Sequence, residues 1–278
     1  PMRVTVWGVR GSIPSPGPTT ARYGGNTSCI SAAVDGKVLV FDAGSGIREL
    51  GKRLVGGEEP IYVLITHNHW DHIQGFPFFL PIYQPGRRIY MFPFGSERRR
   101  VCSLVTQMDG SHFPVTPDML LSDNECVPED SMEFLRSPGF SIRRLSLNHP
   151  AGSYGFRVEQ NGHSVVYIPD NEIEPPGEKT VDLETLAEFC RGADVLMHDA
   201  QYLPEDMPHK HGWGHSVVDH VLALGAAAKP KQLLLFHHDP DRTDDQVDAI
   251  ERDARAWLAA HCPEVDCRAA REGMEFVL

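Results

Sequence analysis

Short apolar runs separated by turn signals dominate this chain. Residues 3–9 read as a strand, and the Gly/Pro-rich stretch 11–18 as a loop. Residues 29–34 and 37–42 predict a hairpin around Asp35-Gly36. A helix is expected from Ile47 to Leu54, and the run 61–65 reads as a buried strand. Residues 73–80 suggest a turn entering a short apolar helix. The middle, 84–140, is the least regular part and is rich in Pro, Phe and Arg. Within it, Arg98-Arg99-Arg100 reads as the solvated face of a helix, and 111–117 as a loop able to overhang a site. The second half repeats the alternation: strands over 140–147, 153–158 and 164–168, with Asn161-Gly162 as a turn. A helix is expected over 181–190, a short strand at 195–197, a helix over 216–224 and a last apolar strand over 232–236. The stretch 244–261 has helical spacing, with Val247, Ile250, Ala254 and Leu258 on one face. Two similar halves, each a sheet with outer helices, predict one layered α/β domain spanning 1–278.

Composition narrows the class. The 278 residues are 41% apolar, enough for a substantial core. A net charge of −12 disfavours a bulk nucleic-acid binder, although two bound divalent cations would add four local positive charges. The six cysteines form no C-x-x-C pair, so neither a zinc ribbon nor a dithiol redox centre is indicated. The first residues enter a strand-like alternation rather than a secretory leader. No apolar stretch approaches the ~20 residues of a membrane span. A soluble cytoplasmic protein is expected.

The chemistry concentrates in Thr66-His67-Asn68-His69-Trp70-Asp71-His72, directly after the buried strand. Three imidazoles and a carboxylate packed into one loop would strand polar groups unless a cation held them, so a divalent metal, or a pair, is the economical explanation. Bimetal hydrolytic sites are assembled at strand ends by the fold. Three further places have a His or Asp just past an apolar strand: His149, Asp170, and the pair His237 and His238.

The H-x-H-x-D-H pattern resembles the signature of the metallo-β-lactamase superfamily. The whole series is similar to its phosphodiesterase branch, which contains ribonuclease Z and cyclic-phosphate phosphodiesterases. Gly8–Pro14, Tyr23–Ser28, Asp42-Ala43-Gly44, Met197–Tyr202 and Gly214-His215-Ser216 resemble further segments of that branch, so the likeness spans nearly the whole chain. The resemblance implies a four-layer αββα sandwich. It implies one metal on His67, His69 and His149, a second on Asp71, His72 and His237, and Asp170 bridging both; His237 is preferred to His238 because it directly follows the strand. It also implies a homodimer, which no residue pattern shows. The sequence departs from the branch in having Asp199 where it has Glu, and in lacking a basic Gly-Pro-rich arm like the one long ribonuclease Z forms use to grip tRNA.

These residues suggest a hydroxide shared by two divalent ions, because coordination lowers water's pKa from ~15.7 toward ~7. Asp71 is a candidate proton acceptor, His215 a candidate acid for the leaving oxygen, and Asp199 its orienting partner. Asp42 and Asn26 are candidates for holding ligand histidines through hydrogen bonds. Zinc is the default metal, with manganese or iron compatible with mixed imidazole and carboxylate ligands. The expected substrate is a small cyclic or nucleotide phosphodiester. Hydrolysis of a lactone, thioester or other carboxylic ester, and RNA 3′-end processing, are the alternatives. A flavin-linked di-iron reductase fits less well, since His69 stands where that chemistry uses a carboxylate, and a non-catalytic scaffold would have lost ligands.

Overall fold

The computed structural model describes residues 1–95, 102–127 and 135–278; the Arg98–Arg100 triplet lies outside them. The first sheet contains β1 (Arg3–Gly8), β2 (Cys29–Val34), β3 (Lys37–Phe41), β4 (Ile61–Leu64), β5 (Arg88–Phe92), β6 (Asp123–Cys126) and β13 (Glu275–Val277), in the order β13-β1-β2-β3-β4-β5-β6. The second contains β7 (Phe140–Ser146), β8 (Tyr154–Gln160), β9 (His163–Ile168), β10 (Val195–Asp199), β11 (Gln232–Phe236) and β12 (Asp266–Ala269), in the order β12-β11-β10-β9-β8-β7. The helices are α1 (Ile47–Leu54), α2 (Trp70–Ile73), α3 (Ser103–Thr106), α4 (Leu183–Cys190), α5 (Val218–Ala228) and α6 (Asp244–His261).

The two predicted turns form for the predicted reason. Asp35 and Gly36 both take positive φ (49° and 70°), as do Asn161 and Gly162 (50° and 87°). Two consecutive left-handed residues match the twist of a tight hairpin, and they join Val34 to Lys37 and Gln160 to His163 in register. The long α6 starts where Thr243 and Gln246 cap each other: the Gln246 N–H donates to Thr243 Oγ1 (3.2 Å) and the Thr243 N–H to Gln246 Oε1 (2.9 Å).

Strand side chains divide by parity between two cores. Leu39 and Phe41 of β3, Val165 and Tyr167 of β9, and Leu234 and Phe236 of β11 meet in the core between the sheets. Val38 and Val40 turn outward with Ile47 and Leu50 of α1. Val166, Ile168, Leu233 and Leu235 turn the other way, against Leu186 of α4, Val221 and Leu224 of α5 and Leu258 of α6. Helices therefore cover both outer faces, giving the expected αββα layering. Strands buried on both sides read as unbroken apolar runs, which is why these were recognisable.

One expectation fails locally. The apolar helix anticipated over residues 73–80 is replaced by α2 and two 3₁₀ turns, Phe76–Phe78 and Leu80–Tyr83. Pro77 and Pro81 sit in the first turn of each, where a missing N–H is harmless, and they prevent one continuous helix. The loop over 111–117 packs Phe113 edge-on against Phe78 at 5.3 Å.

Strands β3 to β6 are mutually parallel, as are β9 to β12. In such sheets, functional groups gather beyond the carboxyl ends of the strands. Those ends carry Asp42 after β3, the 66–72 loop after β4, Asp170 after β9, Asp199 at the end of β10 and His237 after β11. His149 follows β7.

Candidate metal centre

Both sheets deliver side chains to one point. Asp42 and His237 are non-glycine residues held at positive φ (both 62°), a sparsely populated conformation that persists where surrounding structure enforces it. Two glycines allow close approach here. A Cβ on Gly11 would lie 2.6 Å from His237 Nδ1 and 2.8 Å from Gln201 Oε1, and one on Gly214 would collide with the His149 ring. The buried Arg10 guanidinium ties the N-terminal loop to the segment after β11, donating to the carbonyls of Gly24, Asp239 and Arg242. That anchorage puts the Ser12 N–H 3.0 Å from Asp71 Oδ2, to which it donates.

Four imidazoles are turned so that one nitrogen faces outward to a protein acceptor. His67 Nδ1–H donates to Thr66 Oγ1 (3.0 Å), whose own hydrogen goes to Asp42 (2.9 Å to Oδ2). His72 Nδ1–H donates to Asp42 Oδ2 (2.8 Å), His149 Nδ1–H to the Gly214 carbonyl (2.8 Å) and His237 Nδ1–H to Gln201 Oε1 (2.8 Å). These outer partners fix the tautomer and leave every Nε2 lone pair pointing inward. The buried Asp42 carboxylate also accepts from the Thr66 N–H (2.8 Å) and the Tyr167 hydroxyl (3.0 Å).

Inside, electron pairs meet electron pairs in two groups. His67 Nε2, His69 Nδ1, His149 Nε2 and an oxygen of Asp170 form the first; Asp71, His72, Asp170 and His237 form the second. His67 Nε2 is 2.9 Å and His149 Nε2 3.2 Å from His69 Nδ1. Asp170 Oδ2 is 3.4 Å from His67 Nε2, while Asp170 Oδ1 is 2.9 Å from His72 Nε2 and 3.2 Å from His237 Nε2. His72 Nε2 and Asp170 Oδ1 are buried and have no hydrogen-bond partner among the described residues. Buried polar atoms are rarely left so, and a cation between them satisfies all of them. The donor set, imidazoles and carboxylates without thiolate, fits a divalent metal.

The protonation balance agrees. Burial holds the His149 imidazole down at about 3, hence neutral and able to ligate. Burial pushes the Asp170 carboxyl up, but His237, His72 and His67 outweigh it and keep the group well below the usual carboxylate range. Burial likewise opposes charge on His72, yet Asp170, Asp71 and Asp42 raise it well above the ordinary imidazole value, so its Nε2 takes up a proton unless a cation occupies that place. The carboxylates thus demand positive charge at this point. Beside them, His215 Nδ1–H donates to the buried Asp199 Oδ2 at 2.7 Å. Burial alone would lower the His215 imidazole, but Asp199 outweighs it and holds the ring at about 9, so it carries a proton at neutral pH. Asp199 is oriented by the N–H groups of Asn171 (3.0 Å) and Gln201 (3.1 Å).

The structure brings together His67, His69, Asp71, His72, His149, Asp170 and His237, with Asp199 and His215 alongside. His238 points away: its Nε2–H donates to the Ala270 carbonyl (2.7 Å) and its ring meets Tyr23 edge-on. Asn26 does not hold a ligand histidine; its Oδ1 accepts from Ser45 Oγ (3.0 Å), because the hairpin turns it toward the start of α1. Sequence reasoning missed Gln201, Thr66 and Tyr167 as partners of this cluster. Thr66 abuts the histidine motif and was findable; nothing local marks the other two.

Two stacked sheets with such a cluster at their strand ends define a metal-dependent hydrolase. A family model described as Beta-lactamase superfamily domain matches residues 37–238, and the chain belongs to that superfamily. A curated relative from Haloarcula marismortui, named Ribonuclease Z, is 24% identical over 85% of this chain and 86% of its own. The metallo-beta-lactamase fold protein YhfI from Bacillus subtilis shares the fold with a TM-score of 0.71 at 18% identity, covering 99% of both chains. Human tRNase Z, short form, does so with a TM-score of 0.63 at 20% identity, covering 99% of this chain and 98% of its own.

These names correct one expectation. A small-molecule substrate with nucleic-acid binding disfavoured does not stand, since the curated relatives are named Ribonuclease Z and one fold neighbour tRNase Z. The error lay in using net charge: −12 is a sum over the whole chain, whereas recognition depends on the local field at the cleft. Among the described residues no helix is long and apolar enough to cross a membrane.

Proposed function

We propose that this protein is a bimetal phosphodiesterase that hydrolyses phosphodiester bonds of RNA. The observation that carries the reading is the set of inward-facing lone pairs, fixed by outer hydrogen bonds and left unsatisfied at His72 Nε2 and Asp170 Oδ1. His67, His69 and His149 would hold one cation, Asp71, His72 and His237 the other, and Asp170 both. Zinc suits these ligands. When bound, the ions supply Lewis acidity toward phosphoryl oxygens and acidify water. Asp71 takes a proton from the attacking water. As the P–O bond breaks, His215 gives its proton to the departing oxygen, so a diester and water yield a monoester and an alcohol. Asp199 keeps His215 charged and oriented. The His215–Asp199 pair favours a leaving group that must be protonated, as a ribose alkoxide must. A cytoplasmic site of action belongs to this proposal, supported by free thiols at Cys29, Cys190, Cys262 and Cys267.

Turnover of single-stranded RNA, methyl p-nitrophenyl phosphate, a homoserine lactone and an acyl thioester tests the reading. Phosphodiesters are expected to lead; a lactone or thioester preferred by orders of magnitude would overturn it. The Asp42→Asn variant is expected to bind divalent metal about 10- to 100-fold more weakly, because His67 and His72 both depend on that carboxylate. Competition against a fluorescent chelator measures this, and unchanged affinity would detach Asp42 from the centre.

A further inference from the structure

The chain has four tryptophans, and they divide sharply. Trp7 and Trp257 pack in or against the cores. Trp70 and Trp213 are 83% and 61% exposed. Single exposed apolar side chains are ordinary on a protein surface, but two indole rings on separate segments beside one ligand cluster are a more specific arrangement, since each offers a flat amphipathic face to a ligand ring. Both occur where chemistry is concentrated. Trp70 lies between His69 and Asp71, at the first position of α2. Trp213 directly precedes Gly214, whose carbonyl accepts from His149 at 2.8 Å, and is two residues from His215. The His69 and His149 rings are 5.0 Å apart, so the tryptophan-bearing segments adjoin the same ring pair. Ile13, 59% exposed, follows Ser12, which donates to Asp71. The Lys210 ammonium lies 6.0 Å from the Trp213 ring centre and is ion-paired to Asp239 at 3.5 Å.

We propose that Trp70 and Trp213 are stacking platforms for unpaired nucleobases flanking the scissile phosphate, with Lys210 near enough to Trp213 to meet a neighbouring phosphate. The inference rests on the phosphodiesterase reading for its position, and it specifies the substrate: a single-stranded ribonucleotide segment, whose bases expose their π-faces. Every base offers such a face, so stacking grips strands without selecting sequence. A base-paired duplex hides its faces and gains nothing. The acidic chain can in this way hold RNA through aromatic contact, with few basic residues.

The test is binding of a single-stranded adenosine oligonucleotide with phosphorothioate linkages to the metal-loaded protein, followed by quenching of tryptophan fluorescence. Trp70→Ala and Trp213→Ala are each expected to weaken binding about 5- to 150-fold, whereas Trp→Phe at either position retains most of it. The ratio of kcat/KM on single-stranded RNA to that on methyl p-nitrophenyl phosphate should fall through KM in the alanine variants. Metal content and sedimentation are measured alongside. Parental affinity in both alanine variants, or an absence of quenching in the parent, overturns the proposal. So does a change in sedimenting mass without a change in oligonucleotide affinity, which would assign the rings to contact between copies. Quenching with no RNA hydrolysis would instead sink the phosphodiesterase reading and leave the platforms standing.

Discussion

Asp170→Ala is expected to lose both metals and at least about a thousandfold in turnover. Among the described residues Asp170 is the one carboxylate that faces both candidate ligand groups, with Oδ2 toward His67 and His149 and Oδ1 toward His72 and His237. Outer partners of ligands already cost about 10- to 100-fold in metal affinity when lost; a shared inner ligand should exceed that at two sites together. Its loss also leaves imidazoles crowded with less negative charge to offset a cation. Elemental analysis after gel filtration should fall from about two equivalents toward zero. A variant that kept two equivalents would show that Asp170 does not bridge, and the proposed ligand assignment would have to be abandoned.

His215→Ala should reduce RNA hydrolysis about 10²- to 10⁴-fold while metal content stays at the parental level. The expectation follows from a charged imidazole beside the ligand cluster, held by Asp199 at 2.7 Å. The loss should shrink with methyl p-nitrophenyl phosphate, whose leaving phenolate departs without needing a proton. Asp199 acts through His215 and is a positioning residue. His215 is raised to about 9, so its charged form is present below that value and is lost as pH rises through it. Asp199→Asn removes the main raising influence, so the basic limb of the pH–rate profile should move to lower pH. Equal losses on both substrates would argue against proton donation, and loss of metal would make His215 structural.

Where the sequence was legible, physical bias was strong and local. Runs such as Leu233–Phe236 are buried on both faces and cannot be mistaken for surface. The density of imidazoles in 66–72 has no ordinary structural use, and Asp170 and His237 each follow an apolar strand, while His149 follows the amphipathic β7. The rest was set by distant packing. In β6, Asp-Asn-Glu-Cys carries no apolar alternation, because it is a largely exposed edge strand whose structure comes from pairing with β5. β12 and β13 are only four and three residues long and depend likewise on their neighbours. Gln201 gains its role only because the fold sets it opposite His237, and an amide has no distinguishing local signal. Net charge misled because it carries no positional information.

The ligand groups draw on both sheets: His67, His69, Asp71 and His72 follow β4, whereas His149, Asp170 and His237 follow strands of the other. Ions held there would act as rivets through the seam between the halves. Because only the native chain brings these donors together, metal occupancy and folding become thermodynamically linked, and available cation adds to native stability by mass action. Scarcity of the metal would loosen the very joint that creates its berth, tying the lifetime of the enzyme to the ionic economy of its surroundings.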